Sequence, residues 1–198
     1  MSRTDIINDI TSCFILDAVN KYRIRGVSWA DFALTSAGNR LILYVLGAIV
    51  KKTLKKLLTR DVIFLDLKAD NKNSVIEEIV DELLSTGRLS DREAALEAIH
   101  ERENRMSTGM ENGIAIPHGK TDTVESLVVA IGRKSAGVEF NSIDGKPSMI
   151  FILTLSPLSH TGPHLQFLAE VSKLLRDVDS RQRLLQARDP DEVIRLFI

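Results

Sequence analysis

The chain has 198 residues, 44% apolar and 27% charged, with a formal net charge of −1. This is the composition of an ordinary globular protein with room for one sizeable domain and an extension, or for two small domains. Aromatic residues make up only 5%, which argues against a base-stacking nucleic-acid surface, and the single cysteine, Cys13, excludes an internal disulfide and a thiolate metal cluster.

The start, "MSRTDIINDI", lacks the basic-then-apolar layout of a secretory signal, and the lone cysteine fits a reducing compartment. The most apolar stretch, "LILYVLGAIV" at 41–50, lies between Arg40 and Lys51. It falls short of the roughly 18–20 residues a membrane span needs, so we expect a cytoplasmic protein. Charge is unevenly spread: residues 1–60 carry 10 Lys/Arg against 4 Asp/Glu, and residues 61–198 carry 16 against 23. The asymmetry suggests a basic extension over 1–60 and an acidic body over 61–198.

Residues 4–60 read as mostly helical. "TDIINDITSCFILDAVNKY" places Ile6, Ile7, Ile10, Phe14 and Ala18 near one face, and the pattern resumes from "WADFALTSAGNRLILYVLGAIVKKTLKKLL". "DVIFLDL" at 61–67 is short, apolar and β-branched, hence a strand. "NSVIEEIVDELLSTGRL" predicts a helix with Ser74 and Glu77 as a capping box and Gly87 as its stop. Ser90 and Glu93 repeat the capping pattern ahead of a second helix with Ala95, Leu96 and Ile99 inward. Strands follow at 126–132, 137–140 and 148–156, with "SIDGKP" as the turn between the last two. The chain closes on three helices: one opening at Pro163, one from "SRQRLLQAR", and one with Asp189 as cap, Pro190 next and Glu192 at the third position. Interleaved helices and strands define an α/β (α+β) body, a mixed central sheet flanked by helices and preceded by the helical extension.

Of the four histidines, His100 falls on the charged side of a helix and His160 sits in a loop. His160 and His164 have the four-residue spacing of a metal pair, but Gly162 and Pro163 interrupt any helix between them, and no third ligand stands at recognisable spacing. We expect no metal and no cofactor. His118 differs. In "STGMENGIAIPHGK", 107–120, Pro117 biases Ile116 toward extended backbone and Gly119 allows an unusual turn. Gly109 and Gly113, with the hydroxyls of Ser107 and Thr108, offer donors of the kind that bind oxyanions. A neutral imidazole beside such donors suits attack on phosphorus, one nitrogen acting as nucleophile and the other held as N–H by an acceptor. Spacing alone leaves two alternatives, a core ring and a displayed one. His164, in the first turn of a helix, sits where free N–H groups favour an anion.

"STGMENGIAIPHGK" resembles the active-site signature of phosphotransferase-system EIIA domains of the fructose/mannitol type, which include the nitrogen-regulatory branch. The similarity extends through "REAALEAIHERENRM", "VVAIGRKSAGVEFNSIDGKP" and "IFILTLSP…GPHLQFLAEVSKLL", over roughly residues 61–198 in family order. The resemblance implies a phosphohistidine carrier on a mixed sheet flanked by helices. His118 matches the histidine that accepts a phosphoryl group from phospho-HPr and passes it to an EIIB domain. His164 matches a second histidine that stabilises the phosphoryl group, Arg102 an arginine that organises the pocket, and Ser107 and Thr108 the hydroxyl pair leading into it. Gly119 completes the binding segment. An apolar rim from Ile114, Ile116 and Phe167 is expected to double as a docking surface. The alternative function is regulatory, with the phosphorylation state of His118 controlling a transporter, channel or kinase.

Residues 1–60 lie outside the resemblance. Three readings of them compete. The first is a helical hairpin that packs on the acidic body or forms a homodimer. The second is a membrane-surface contact through 41–58, where Lys51, Lys52, Lys55 and Lys56 follow the apolar stretch. The third is nucleic-acid contact, which no helix-turn-helix pattern supports and which we do not expect.

Overall fold

The computed structural model of the chain describes residues 54–159 and 162–197, the side chains of 162–166 excepted. The helices expected over 4–53, and most of the basic extension with them, lie outside the described residues. The chain divides into two compact units, Met1–Ile49 and Val50–Ile198. Within the second, Leu54 and Leu58, which the charge count assigns to the extension, are buried in the core. No helix among the described residues is long and apolar enough to cross a membrane.

A 3₁₀ turn at Arg60–Val62 leads into the short strand β1 (Ile63–Phe64). The strand expected over 61–67 is therefore cut at its start by the turn, although Leu67 N–H still donates to the Arg133 carbonyl. Helix α1 (Lys72–Ser85) buries Val75, Ile76, Ile79, Val80 and Leu83, the stripe legible in its sequence. Its cap is not Ser74 but Asn71, whose side chain accepts from Ser74 N–H; helix α2 (Arg92–Arg105) is capped by Asp91, not Ser90. Asn and Asp cap as well as Ser; Asn71 starts α1 three residues earlier than Ser74 would, and Asp91 starts α2 one residue later than Ser90 would. Gly87 stops α1 as expected. Its φ of +72° lets Arg88 N–H reach the Leu83 carbonyl and its own N–H reach that of Leu84, satisfying carbonyls the helix leaves open.

The remaining elements are β2 (Ile114–Ala115), β3 (His118–Lys120), β4 (Val128–Val138), β5 (Ser148–Ser156), α3 (Gly162–Arg176), α4 (Val178–Gln186) and α5 (Pro190–Phe197). The strands expected at 126–132 and 137–140 merge into β4, whose register with β5 shifts between Arg133 and Val138, with Gly137 at φ +72°. Asp189 caps α5, accepting from Glu192 N–H.

The sheet runs β1-β4-β5-β2, with β3 also paired to β5. β4 and β5 are antiparallel; β1 on β4, and β2 and β3 on β5, are parallel. Alternation along the strands sorts side chains between two faces. A Cβ on Gly132 would strike Leu67 and Ile79, and one on Gly119 would strike the backbone of Ala98 and Ile99, so that face is covered by α1 and α2. Arg133 points the other way and donates to the carbonyls of Leu184, Leu185 and Ala187 at the end of α4. His118 and Thr154, in register across β3 and β5, lie on this second face.

Candidate functional site

His118 opens β3 at the sheet's edge, half-buried. The expected tight corner at Gly119 is absent. Gly119 is an ordinary strand residue, paired with Leu155, and its missing side chain serves packing. An added Cβ would lie 2.8 Å from the Ala98 carbonyl carbon and 2.9 Å from its oxygen, so only glycine lets β3 approach the α2 backbone this closely. Arg102 stands one turn further along that helix, and the close approach brings its Nε to 3.0 Å from His118 Nε2.

The two ring nitrogens have distinct partners. Nδ1 is 2.8 Å from the Ile116 carbonyl, which only accepts, so Nδ1 carries the proton. Arg102 Nε–H only donates, so Nε2 presents a lone pair. Arg102 is itself held by Nη1–H donating to the Met106 carbonyl at 2.9 Å. Burial pushes the His118 pKa below its ordinary 6.5; the Arg102 charge pushes the same way, while the Ile116 carbonyl and Glu103 oppose them. The net direction keeps the ring neutral at neutral pH.

The segment leading to His118 is a braced hairpin. Asn112 and Gly113 have consecutive positive φ, 66° and 74°, within the three-residue loop between Met110 and Ile114. Met110 N–H donates to the Ile114 carbonyl, and Ile116 N–H to that of Thr108. The sequence offered Ser107 and Thr108 as donors to an oxyanion, but both hydroxyls are spent within the protein. Ser107 Oγ–H donates to the Phe140 carbonyl at 2.6 Å. Thr108 gives both its N–H and its hydroxyl to the carboxylate of Glu103.

Glu103 was missed in the sequence. Its side chain is 3% exposed, and Lys72 Nζ lies 2.5 Å away from a position over the Phe140 ring. Burial pushes the Glu103 carboxyl up, but hydrogen bonds from Lys72 and Thr108 outweigh it and hold the pKa below the carboxylate norm. A chain of contacts thus runs Lys72, Glu103, Thr108, Ile116, His118, from the first turn of α1 to the imidazole. A signal was present: Ala95, Ile99 and Glu103 recur every four residues, which places an acid on the apolar stripe of α2.

His164 falls in the first turn of α3, and its side chain lies outside the described residues, as does His160, so the metal reading of that pair is outside them too. The expected apolar rim is corrected in part. Ile114 and Phe167 are core residues, and Ile116 is half-buried; the exposed apolar side chains on this segment are Met106 and Met110.

A helix-flanked mixed sheet displays at its edge a neutral, tautomer-locked histidine against an arginine, an arrangement that leaves a nucleophilic ring nitrogen available for chemistry. Residues 56–198 match the phosphoenolpyruvate-dependent sugar phosphotransferase system, EIIA 2 family, and the chain belongs to it. The PTS system fructose-specific EIIABC component of Bacillus subtilis (strain 168) is 39% identical over 139 residues, 70% of this chain and 22% of that protein's length. Nitrogen regulatory protein IIA-Ntr from Neisseria meningitidis has the same fold, with TM-score 0.64 and 28% identity, covering 72% of this chain and 97% of that one. Enzyme IIA mannitol from Escherichia coli, solved in complex with phosphorylated enzyme IIB mannitol, matches with TM-score 0.61 and 26% identity, covering 71% and 96%.

Proposed function

We propose that the chain is a phosphohistidine carrier: His118 accepts a phosphoryl group from phospho-HPr and passes it to an EIIB partner in sugar uptake. The observation that carries this reading is the ring itself. Nδ1–H is held by the Ile116 carbonyl, so the nucleophilic lone pair sits on Nε2, and Arg102 marks the direction of attack. Phosphoryl transfer is loose in its transition state, so positioning and charge stabilisation dominate. As the donor's N–P bond breaks and the bond to Nε2 forms, the Arg102 guanidinium transfers its hydrogen bond from the lone pair to a phosphoryl oxygen. Nδ1 keeps its proton throughout. His164, in the first turn of α3, is assigned to phosphoryl stabilisation by its place in the family motif. Ser107 and Thr108 are support for the hairpin rather than ligands, and Gly119 sets the approach of α2.

The mannitol neighbour, solved on its phosphorylated IIB, supports an EIIB acceptor. The IIA-Ntr neighbour favours a second reading, in which the phosphorylation state of His118 regulates a target protein. The test is labelling from phosphoenolpyruvate with enzyme I and HPr, followed by addition of a fructose-type EIIB domain. Label that is absent from His118→Ala and moves to EIIB supports the carrier reading. Label that stays on the chain with cognate EIIB present moves the assignment to regulation, and a folded wild type that takes none refutes both.

A further inference from the structure

The hydroxyl of Thr154 is the one buried side-chain oxygen or nitrogen among the described residues that has no hydrogen-bond partner. The residue is fully buried in β5, within the run "MIFILTL", where every other side chain is apolar. Valine would fill the same volume there without a desolvated hydroxyl. Buried polar groups are almost always paired, so an unpaired one needs a reason.

Its place in the sheet supplies one. Directly across from Thr154 stand Val129 on β4 and His118 on β3. Cross-strand neighbours in register point to the same face, about 5 Å apart. Val129 is apolar, and both nitrogens of His118 already have partners in Ile116 and Arg102. Thr154 N–H, donating to the Pro117 carbonyl at 3.0 Å, ties β5 to the residue before the histidine. The hydroxyl is therefore held beside His118 with nothing to bind while the imidazole is unmodified. A phosphoryl group on Nε2 brings three acceptor oxygens to this same face.

We propose that Thr154 is a further phosphoryl-binding residue, whose hydroxyl donates to a phosphoryl oxygen on phosphorylated His118 and is left unpaired in the unphosphorylated state. The inference rests on the reading of His118 as the phosphoryl acceptor. Thr154 moves no proton: the N–P bond to the donor breaks, the bond to Nε2 forms, and the hydroxyl gains one hydrogen bond. Because the contact exists in one state only, it favours the phosphorylated chain in exchange with its donor. Being sealed from solvent, it adds this stabilisation without bringing water to the N–P bond.

The experiment compares the full chain with Thr154→Val and Thr154→Ser, using phospho-HPr as donor. It reads the equilibrium distribution of label between the two proteins and the thermal midpoint of the unphosphorylated chain. Thr154→Val is expected to raise that midpoint, since it removes an unpaired hydroxyl, yet to shift the exchange about tenfold or more toward the donor. Thr154→Ser, which keeps the hydroxyl, is expected to restore the exchange to near the wild-type position. An exchange equilibrium for Thr154→Val within twofold of wild type overturns the assignment, as does a shift that Thr154→Ser fails to restore. A folded wild type that takes no label at all is a different failure, because it removes the acceptor role of His118 itself.

Discussion

On the face of the sheet turned to α1 and α2, position is set by close packing: Gly119 lies against the backbone of α2, Gly132 against Ile79 and Leu67, and fully buried Phe151, Leu153 and Leu155 fill the rest. On the opposite face, near the β3 edge, the same strands carry His118, Thr154 and Ser156 in register across β3 and β5. One face is close-packed and apolar; the other carries polar side chains at this edge. The difference teaches that the reactive geometry is fixed from behind. Arg102 meets His118 because a helix on the packed face is pressed against the strand that carries the histidine.

The largest expected effect comes from the brace where the packed layer reaches the site. Glu103 is buried and holds Lys72 and Thr108 at once. Removing one partner of a buried ion pair leaves the other uncompensated, so Glu103→Ala is expected to cost about 3–5 kcal/mol in urea unfolding. Because its folded pKa is depressed, the carboxylate stabilises the fold above its ordinary pKa of 4.5 and loses that contribution as pH falls. Wild-type stability should therefore decline below about pH 5 more steeply than that of Glu103→Gln. A loss under 1 kcal/mol for Glu103→Ala would show that the brace is dispensable.

Next in size is Gly119→Ala, which strikes the packed face directly. The new methyl group would meet helix backbone, so α2 must move. Overpacking of this kind costs about 1–3 kcal/mol. The sharper readout is the initial rate of labelling by phospho-HPr, expected to fall about tenfold or more as Arg102 is displaced from His118. An unchanged rate in the folded variant would separate packing from chemistry and break the comparison.

How much of this was legible in the sequence follows the same division. The apolar stripe of α1, the stop at Gly87, the cap at Asp189 and the open strand β5 were readable because each depends on local spacing. The two misplaced caps show that Asn71 and Asp91 compete with nearby serines on equal terms, and only the tertiary start of each helix decides between them. The "ENG" turn is available as a hairpin signal, whereas the sequence alone leaves the hydroxyls of Ser107 and Thr108 to a ligand. Burial of Glu103 spends the hydroxyl of Thr108 and the Phe140 carbonyl that of Ser107, and neither contact has a local signature. His118 was legible by motif, whereas the reason for Gly119 beside it was not, because the atoms it avoids belong to Ala98, twenty-one residues earlier.

The reactive face is sharpened by titration. With its pKa pushed below 6.5, His118 stays neutral and nucleophilic to lower pH than a solvated histidine. The acid limb of the labelling rate should therefore have its midpoint below pH 6.5, and the imidazole signals of His118 should titrate with the same midpoint. Arg102→Gln removes a positive charge beside the ring, so the midpoint should move upward. A midpoint that stays fixed in this variant would mean that burial alone sets the ring's state. The same depressed pKa makes protonation of His118 cost stability as pH falls below 6.5, because the unfolded chain takes up that proton more readily.

The smallest effect is expected from an ion pair away from both faces, and it calibrates the first prediction. Asp61 pairs with Arg88 at 2.6 Å, and the Arg88 hydrogen bond draws its pKa from 3.8 to about 2, the same direction as in Glu103. Both carboxylates stabilise the fold when ionised, and for Asp61 the contribution is present above pH 3.8 and fades as pH falls toward about 2. Yet both partners are 39% exposed, so water screens the attraction and ionises either group cheaply when the other is gone. Asp61→Asn should therefore cost only about 0–1 kcal/mol in urea unfolding and leave labelling at the wild-type rate. If it cost as much as Glu103→Ala, pairing alone, and not the burial that ties Glu103 to the hairpin, would account for the brace.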